Sequence, residues 1–299
     1  MKASRLGLVC VTDSQEVRYR ALTRKRLLQH ELPQQRELLT DLYRDNLQRL
    51  TAALDYCERE AISLYRLPSS IFPFADEEIG RETLAGFAST LAQLGARATA
   101  AGIRLVMHPD QFVVLNSDSA GVVANSVKIL SMHADIMDLL AQPRSPWALL
   151  EIHGGKGNRA EALIENIRAL PEGIRTRLAL ENDEYAYGAA EIHAICMEAG
   201  VPMVFDAHHH IVKENLSSYD DPSVAAMLER ARETWPDPEW QLVHISNGRN
   251  DFNDRQHSDL IEVMPSSYAR APWIEIEAKS KELAIRKLRE ESGSLAHVG

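Results

Sequence analysis

"RLALENDEYAYGAAEIHAICMEAGVPMVFDA", residues 177–207, contains a complete strand–helix–strand unit. The run 177–182 is short and apolar and ends in polar residues, and "PMVFDA" (202–207) repeats that form. Between them "GAAEIHAICMEAG" (188–200) sets apolar residues at helical spacing between two glycines. A helix that joins two short apolar strands is the crossover that parallel pairing requires.

The same alternation extends in both directions. Strand-like runs are predicted at 5–11 (RLGLVCV), 62–67 (ISLYRL), 103–108 (IRLVMH), 147–153 (WALLEIH), 177–182, 202–207, 241–246 (QLVHIS) and 273–278 (WIEIEA). Amphipathic segments such as "NLQRLTAALDYCEREA" and "SVKILSMHADIMDLLAQ" separate them. Eight such units favour a single-domain TIM (β/α)8 barrel over 1–299, with 280–299 as a last helix and tail. An open doubly wound sheet lacks its glycine fingerprint after the first run. The longest gap, 12–45, is expected to be an elaborated loop.

Composition narrows the class. With 45% hydrophobic and 25% charged residues, the 299-residue chain reads as an ordinary globular protein. It has no membrane-length apolar stretch and no secretory leader pattern, so a cytoplasmic protein is expected, with no membrane and no obligate protein partner. Cys10, Cys57 and Cys196 are odd in number and widely spaced, which suggests buried thiols. A net charge of −10 argues against indiscriminate polyanion binding. Arg18, Arg20, Arg24, Lys25 and Arg26 nevertheless form a local basic stretch.

Barrel active sites gather at the C-terminal ends of strands. Those ends carry His108, His153, Glu181, Asp206 with His209, His244 and Glu277, and His257 follows in the loop after the seventh strand. One histidine at a strand end is ordinarily structural, but six consecutive strands ending in ligand-type residues point to a metal centre. In "VFDAHHHIV" (204–212) the choice of histidine stays open. Pleat alternation places His208 on the face of Asp206, whereas a strand that stops at Asp206 lets the next loop deliver His209.

Eight donors exceed what one ion takes while leaving room for substrate, so several ions are expected. Mixed imidazole and carboxylate donors suit Zn²⁺ or Mn²⁺ better than Mg²⁺. Two ions about 3.5–4 Å apart can drive an in-line phosphoryl displacement, with Glu181 able to bridge them. Phosphodiester hydrolysis leads. A divalent-metal sugar isomerase or epimerase, which also uses His, Glu and Asp at barrel strand ends, is the second class. The basic stretch favours the first.

The set "MHPDQF" (107–112), "EIHGG" (151–155), "LALENDE" (178–184), "VFDAHHH" (204–210), "LVHIS" (242–246) and "IEAKSKE" (276–282) resembles the UV damage endonucleases, relatives of endonuclease IV. The resemblance implies a TIM-barrel repair enzyme that acts on UV-damaged double-stranded DNA at cyclobutane dimers and (6-4) photoproducts. It implies incision immediately 5′ to the lesion, with two or three divalent ions and Mn²⁺ typical. An abasic-site endonuclease is its near alternative. By motif, one ion falls to His108, His153 and Glu181, a second to Glu181, Asp206, His244 and Glu277, and a third to His209 and His257. The resemblance thus selects His209, and it gives Glu181, Glu277 and Lys279 catalytic roles.

Gln111 and Phe112 are similar to the family's probing pair, which fills the gap left by a flipped lesion. Without the resemblance Phe112 reads as a core aromatic. Leu8, Thr12, Tyr19 and Lys156 fall at positions expected to contact DNA. Two positions depart from the relatives: Leu242 stands where a carboxylatable lysine is found in some, and Arg255 where endonuclease IV has an aspartate. Both leave the third ion short of acidic ligands.

Overall fold

The eight apolar runs form parallel strands that pair in chain order. They are β1 (Arg5–Val9), β2 (Leu64–Leu67), β3 (Arg104–Met107), β4 (Leu150–His153), β5 (Leu178–Glu181), β6 (Met203–Asp206), β7 (Leu242–Ile245) and β8 (Trp273–Ile276). β8 returns to β1 and closes the barrel. The computed structural model describes residues 4–109 and 112–295. Each strand is shorter than the run predicted for it; β2 and β4 lose residues only at their starts, where a 3-10 turn over Pro146–Ala148 precedes β4.

The helices α1 (Arg24–Leu27), α2 (Leu32–Arg59), α3 (Glu78–Ala85), α4 (Ala88–Ala100), α5 (Ala120–Leu139) and α6 (Ala160–Ala169) lie between the earlier strands. α7 (Glu172–Arg175), α8 (Ala189–Ala199), α9 (Ala207–Glu214), α10 (Pro222–Glu233) and α11 (Glu282–Leu295) complete the set. Among the described residues, no helix is long and apolar enough to cross a membrane.

The expected loop over 12–45 is corrected by the structure: α2 begins at Leu32 and runs 28 residues. Pro33 fits the first helical turn, and Gln34 accepts from the Glu31 N–H at 3.3 Å. The helix buries Leu39, Leu42, Tyr43, Leu47, Leu50 and Leu54 on one face. Its buried Asn46 fastens the segment before it, accepting from the Arg20 N–H at 2.8 Å and donating to Arg20 O at 3.0 Å and Ile71 O at 2.7 Å. Arg20 pairs with Asp45 and Arg24 with Glu77, so carboxylates of the scaffold offset part of the basic stretch.

Two cores result. The larger lies between sheet and helices. The smaller fills the barrel with Leu64, Val106, Leu149, Ala179, Val204, Leu242 and Trp273, joined by Trp235. Arg104 stoppers the N-terminal end of the barrel, donating to the carbonyls of Pro146, Trp147 and Trp240 at 2.7–2.9 Å. Its guanidinium lies 4.9–5.7 Å from the rings of Trp147, Trp235 and Trp273. Residues two apart share a strand face. The inward face therefore climbs from the stopper through Glu151 and Glu275 to His153, His244 and Glu277 at the opposite end.

Candidate metal centre

Register places the donors side by side. His153 is paired with Glu181 across β4 and β5, and Asp206 with His244 across β6 and β7. His108 and Glu277 stand one residue past β3 and β8. Glu181, almost wholly buried, is the centre: His108 Nε2 is 3.2 Å and His153 Nε2 3.6 Å from its Oε2, while His244 Nδ1 is 3.0 Å and His209 Nδ1 3.5 Å from its Oε1.

The three histidines of "HHH" diverge because they lie on α9, where the sequence suggested a loop. Asp206 is the N-cap: its Oδ1 accepts from the His209 N–H at 2.8 Å. Successive helical residues point about 100° apart, so His209 faces Glu181 and its two neighbours do not. His208 binds the Tyr219 hydroxyl at 2.6 Å and Asp254 O at 2.8 Å. His210 binds Ser223 Oγ at 3.0 Å. His257 is carried back over the barrel by a ribbon in which Gly248 bridges it, and its Nδ1 is 3.8 Å from Glu277 Oε2.

Among the described residues, four groups bring donor atoms within 4.8 Å of one another: His108 with His153 and Glu181; Glu151 with Glu181 and His244; Glu181 with Asp206 and His209; Asp206 with His244 and Glu277. In these groups Asp206 Oδ2, His153 Nδ1 and both carboxylate oxygens of Glu151 are buried without a hydrogen-bond partner. Glu151, Glu181, Asp206 and Glu275 are all buried, and Arg66 is the guanidinium that reaches this layer. Buried carboxylates need cations or protons, so the donor set fits divalent ions.

The electrostatics follow from this excess. Burial works against charge on Glu181, yet His244, His153 and His108 hold its carboxyl well below the usual range. Burial pushes the Glu151 carboxyl up to about 7 against the pull of His244. His209 is raised to about 10 despite burial, by Asp206, Glu181 and Glu184. His153 is lowered, first by burial and then by His108 and His209, although Glu181 opposes the shift. A neutral imidazole is the form that ligates a metal.

Arg66, Glu151, Glu184 and Glu275 were missed by sequence reasoning. Glu151 and Glu275 were legible by alternation, each two residues before an assigned donor on an inward face. Arg66 is the residue before the last of β2 but is not a usual ligand type. Glu184 Oε2 lies 3.8 Å from His209 Nε2, an acidic group beside the donors of the third ion. Arg255 carries its guanidinium 4.3 Å from the ring centroid of Tyr185, a residue of the wall around the donors. Leu242 lies in the inner apolar layer.

A cavity of ≈ 450 Å³ opens beside the donors, with Val113, Val114, Lys156 and Tyr185 in its wall. Lys156 rides on the Gly-Gly turn after β4. A Cβ on Gly154 would stand 2.5 Å from the Tyr187 ring, and Gly155 has φ +79° against Asn116. Asn116 accepts from the Lys156 N–H at 2.8 Å and donates to Gly154 O and Lys156 O. Phe112 is 71% exposed and Tyr185 67%, which removes Phe112 from the core. Lys279 is exposed, with its N–H on Ser258 O. Gln111 lies outside the described residues.

Leu8 and Thr12 are corrected as DNA contacts, since both are fully buried. Leu8 faces the helical shell, and Thr12 Oγ1 accepts from the Val17 N–H at 2.9 Å to pin its own loop. Tyr19 is half-buried and its hydroxyl bonds that of Tyr65 at 2.8 Å.

A family model described as UV-endonuclease UvdE matches residues 4–298. A UV DNA damage endonuclease of Nostoc sp. is 55% identical over 286 residues, 95% of this chain and 89% of the relative. One from Deinococcus radiodurans is 50% identical over 287 residues, 95% of this chain and 94% of the relative. The crystal structure of SacUVDE superposes with a TM-score of 0.75 at 25% identity, covering 97% of this chain and 99% of its own. Endonuclease IV from Thermus thermophilus shares the fold, with a TM-score of 0.58 at 15% identity over 96% of this chain and 98% of its own.

Proposed function

The chain belongs to the UV-endonuclease UvdE family, and from that premise we propose that it incises duplex DNA immediately 5′ to UV photoproducts by hydrolysis at a multi-metal centre. The observation that carries the metal-dependent part is the Glu181 carboxylate, buried among four imidazoles within 3.6 Å. His108, His153 and Glu181 would hold one ion; Glu181, Asp206, His244 and Glu277 a second; His209 and His257 a third, with Glu184 beside them. Bound divalent ions, Mn²⁺ by the family resemblance with Zn²⁺ suited to the same donors, would supply neutralisation of the scissile phosphate and an acidified water.

The protein's own groups bind and orient. Exposed Phe112, together with Gln111, would occupy the space left when a crosslinked dinucleotide leaves the stack. Tyr185, stacked under Arg255, offers a second aromatic face across the cavity, with a guanidinium placed for a phosphate. Lys156 and Lys279 are the cations for the backbone flanking the incision. The carboxylates of Glu181 and Glu277 would hold the ions that acidify the attacking water.

The test is a labelled duplex carrying one cyclobutane dimer, incubated with the chain and Mn²⁺. A nick 5′ to the dimer with a 3′-hydroxyl, absent from the undamaged duplex and lost in Glu181→Gln, is expected. Equal cleavage of damaged and undamaged duplex would sink the lesion-specific reading. A matched abasic-site duplex separates the endonuclease IV type of activity.

A further inference from the structure

His244 is fully buried, and each of its ring nitrogens meets carboxylates. Nδ1 is 3.0 Å from Glu181 Oε1 and 3.4 Å from Glu277 Oε1. On the opposite edge, Nε2 is 2.8 Å from Glu275 Oε2 and 3.1 Å from Glu151 Oε1. Neither Glu275 nor Glu151 belongs to the three ligand sets proposed above.

A neutral imidazole has one N–H and one lone pair, and the nitrogen with the stronger acceptor keeps the proton. Arg66 makes the choice consequential, because its guanidinium lies 2.9 Å from Nε2. With the lone pair on Nε2, Arg66 donates to it at 2.9 Å and the proton sits on Nδ1, 3.0 Å from Glu181 Oε1; both contacts have hydrogen-bond geometry, so this tautomer is the competitor that must be held off. His244 could then offer that side no electron pair. If Nε2 carries the proton, both it and Arg66 donate to Glu275, and Nδ1 is free to ligate.

We propose that Glu275, braced by Arg66, is a positioning residue that holds the His244 proton on Nε2 and presents Nδ1 to the metal centre. Arg66 Nε donates to Glu275 Oε2 at 2.7 Å, and its terminal nitrogen is 2.7 Å from Glu277 Oε1, so one guanidinium fixes the carboxylate of β8 and the one just past it. Arg66 arrives from β2, on the far side of β1 from β8. Glu151 Oε1, 3.1 Å from Nε2 and without a hydrogen-bond partner of its own, places a second carboxyl group behind the ring. A carboxylate behind a ligating histidine fixes its tautomer and orientation, and its loss weakens metal affinity by about 10- to 100-fold.

This inference rests on His244 being a metal ligand, and the experiment separates the two. Mn²⁺ stoichiometry and affinity are measured on the full chain from the electron paramagnetic resonance of free Mn²⁺, for wild type, Glu275→Gln and Glu275→Asp. Expected is tight binding by wild type, a loss of about 10- to 100-fold in Glu275→Gln, and partial recovery in Glu275→Asp. Wild type that binds with Glu275→Gln equally tight overturns the positioning role and leaves the site reading intact. Wild type that binds no Mn²⁺ overturns the site reading and this inference with it. If Glu275→Gln does not fold, Arg66→Lys replaces it, keeping the charge and removing the fork. Weakened Mn²⁺ binding in that variant supports the brace, and unchanged affinity overturns it.

Discussion

Asp206 caps α9 with one carboxylate oxygen and leaves the other buried without a partner: Oδ1 accepts from the His209 N–H at 2.8 Å, while Oδ2 faces the metal donors. One side chain therefore sets the direction of His209 and supplies a candidate ligand. The two roles separate by substitution. Asp206→Asn keeps a capping oxygen and should change unfolding free energy little while lowering Mn²⁺ affinity. Asp206→Ala should lose the metal and a further ~1 kcal/mol of stability from the cap. Chemical denaturation beside metal titration reads both, and equal stability of the two variants would contradict the cap.

Metal binding should stabilise the fold, because the buried carboxylates outnumber the cations that face them. Saturating Mn²⁺ at about 100 times its dissociation constant adds roughly 2.7 kcal/mol per site. Thermal unfolding with Mn²⁺ against EDTA should show a higher midpoint with the ion. The difference should shrink in Glu181→Gln. A midpoint that ignores the ion in wild type would argue against an interior site.

Phe112 is exposed, so Phe112→Ala should leave stability within about 0.5 kcal/mol. If the ring stacks on bases, damaged-duplex affinity should fall by about 1–3 kcal/mol. Filter binding with damaged and undamaged duplexes measures both terms. A parallel drop on both substrates would make Phe112 a general contact and not a lesion probe.

Cys57 and Cys196 are buried, and burial pushes the Cys57 thiol up to about 12 and Cys196 higher. Neither should react with a thiol reagent at pH 8 until the chain unfolds. The raised thiol of Cys57 favours the folded state fully below its ordinary value of 9, and this contribution is lost as pH rises from there through about 12. Alkaline denaturation should therefore begin above pH 9, and Cys57→Ala should lessen its steepness. Rapid labelling of the native chain would contradict the burial.

The barrel was legible because eight apolar runs alternating with helical spacing are a local property, repeated eight times. The donors at the strand ends were legible by the same register. The helix from Leu32 was not, since its start "ELPQQREL" is polar and carries a proline that reads as a break until the turn around it exists. Leu8 and Thr12 were assigned to DNA by chain position, but exposure depends on what packs over a residue: Leu8 lies in the core between sheet and helices, and Thr12 is buried where its hydroxyl accepts from the Val17 N–H.

The sequence by itself determined an eight-fold parallel barrel with imidazoles and carboxylates at one end, because strand period and strand-end position are set along the chain. Strand periodicity left the choice within "HHH" open and the resemblance alone pointed to His209; only the tertiary structure gave the physical reason, a helix capped by Asp206 that turns His209 toward the centre. It alone joined Arg66, Glu151, His244 and Glu275, residues from four strands that meet inside the barrel although up to 209 positions apart. Pairings of that span depend on closure of the sheet, and no local pattern encodes them.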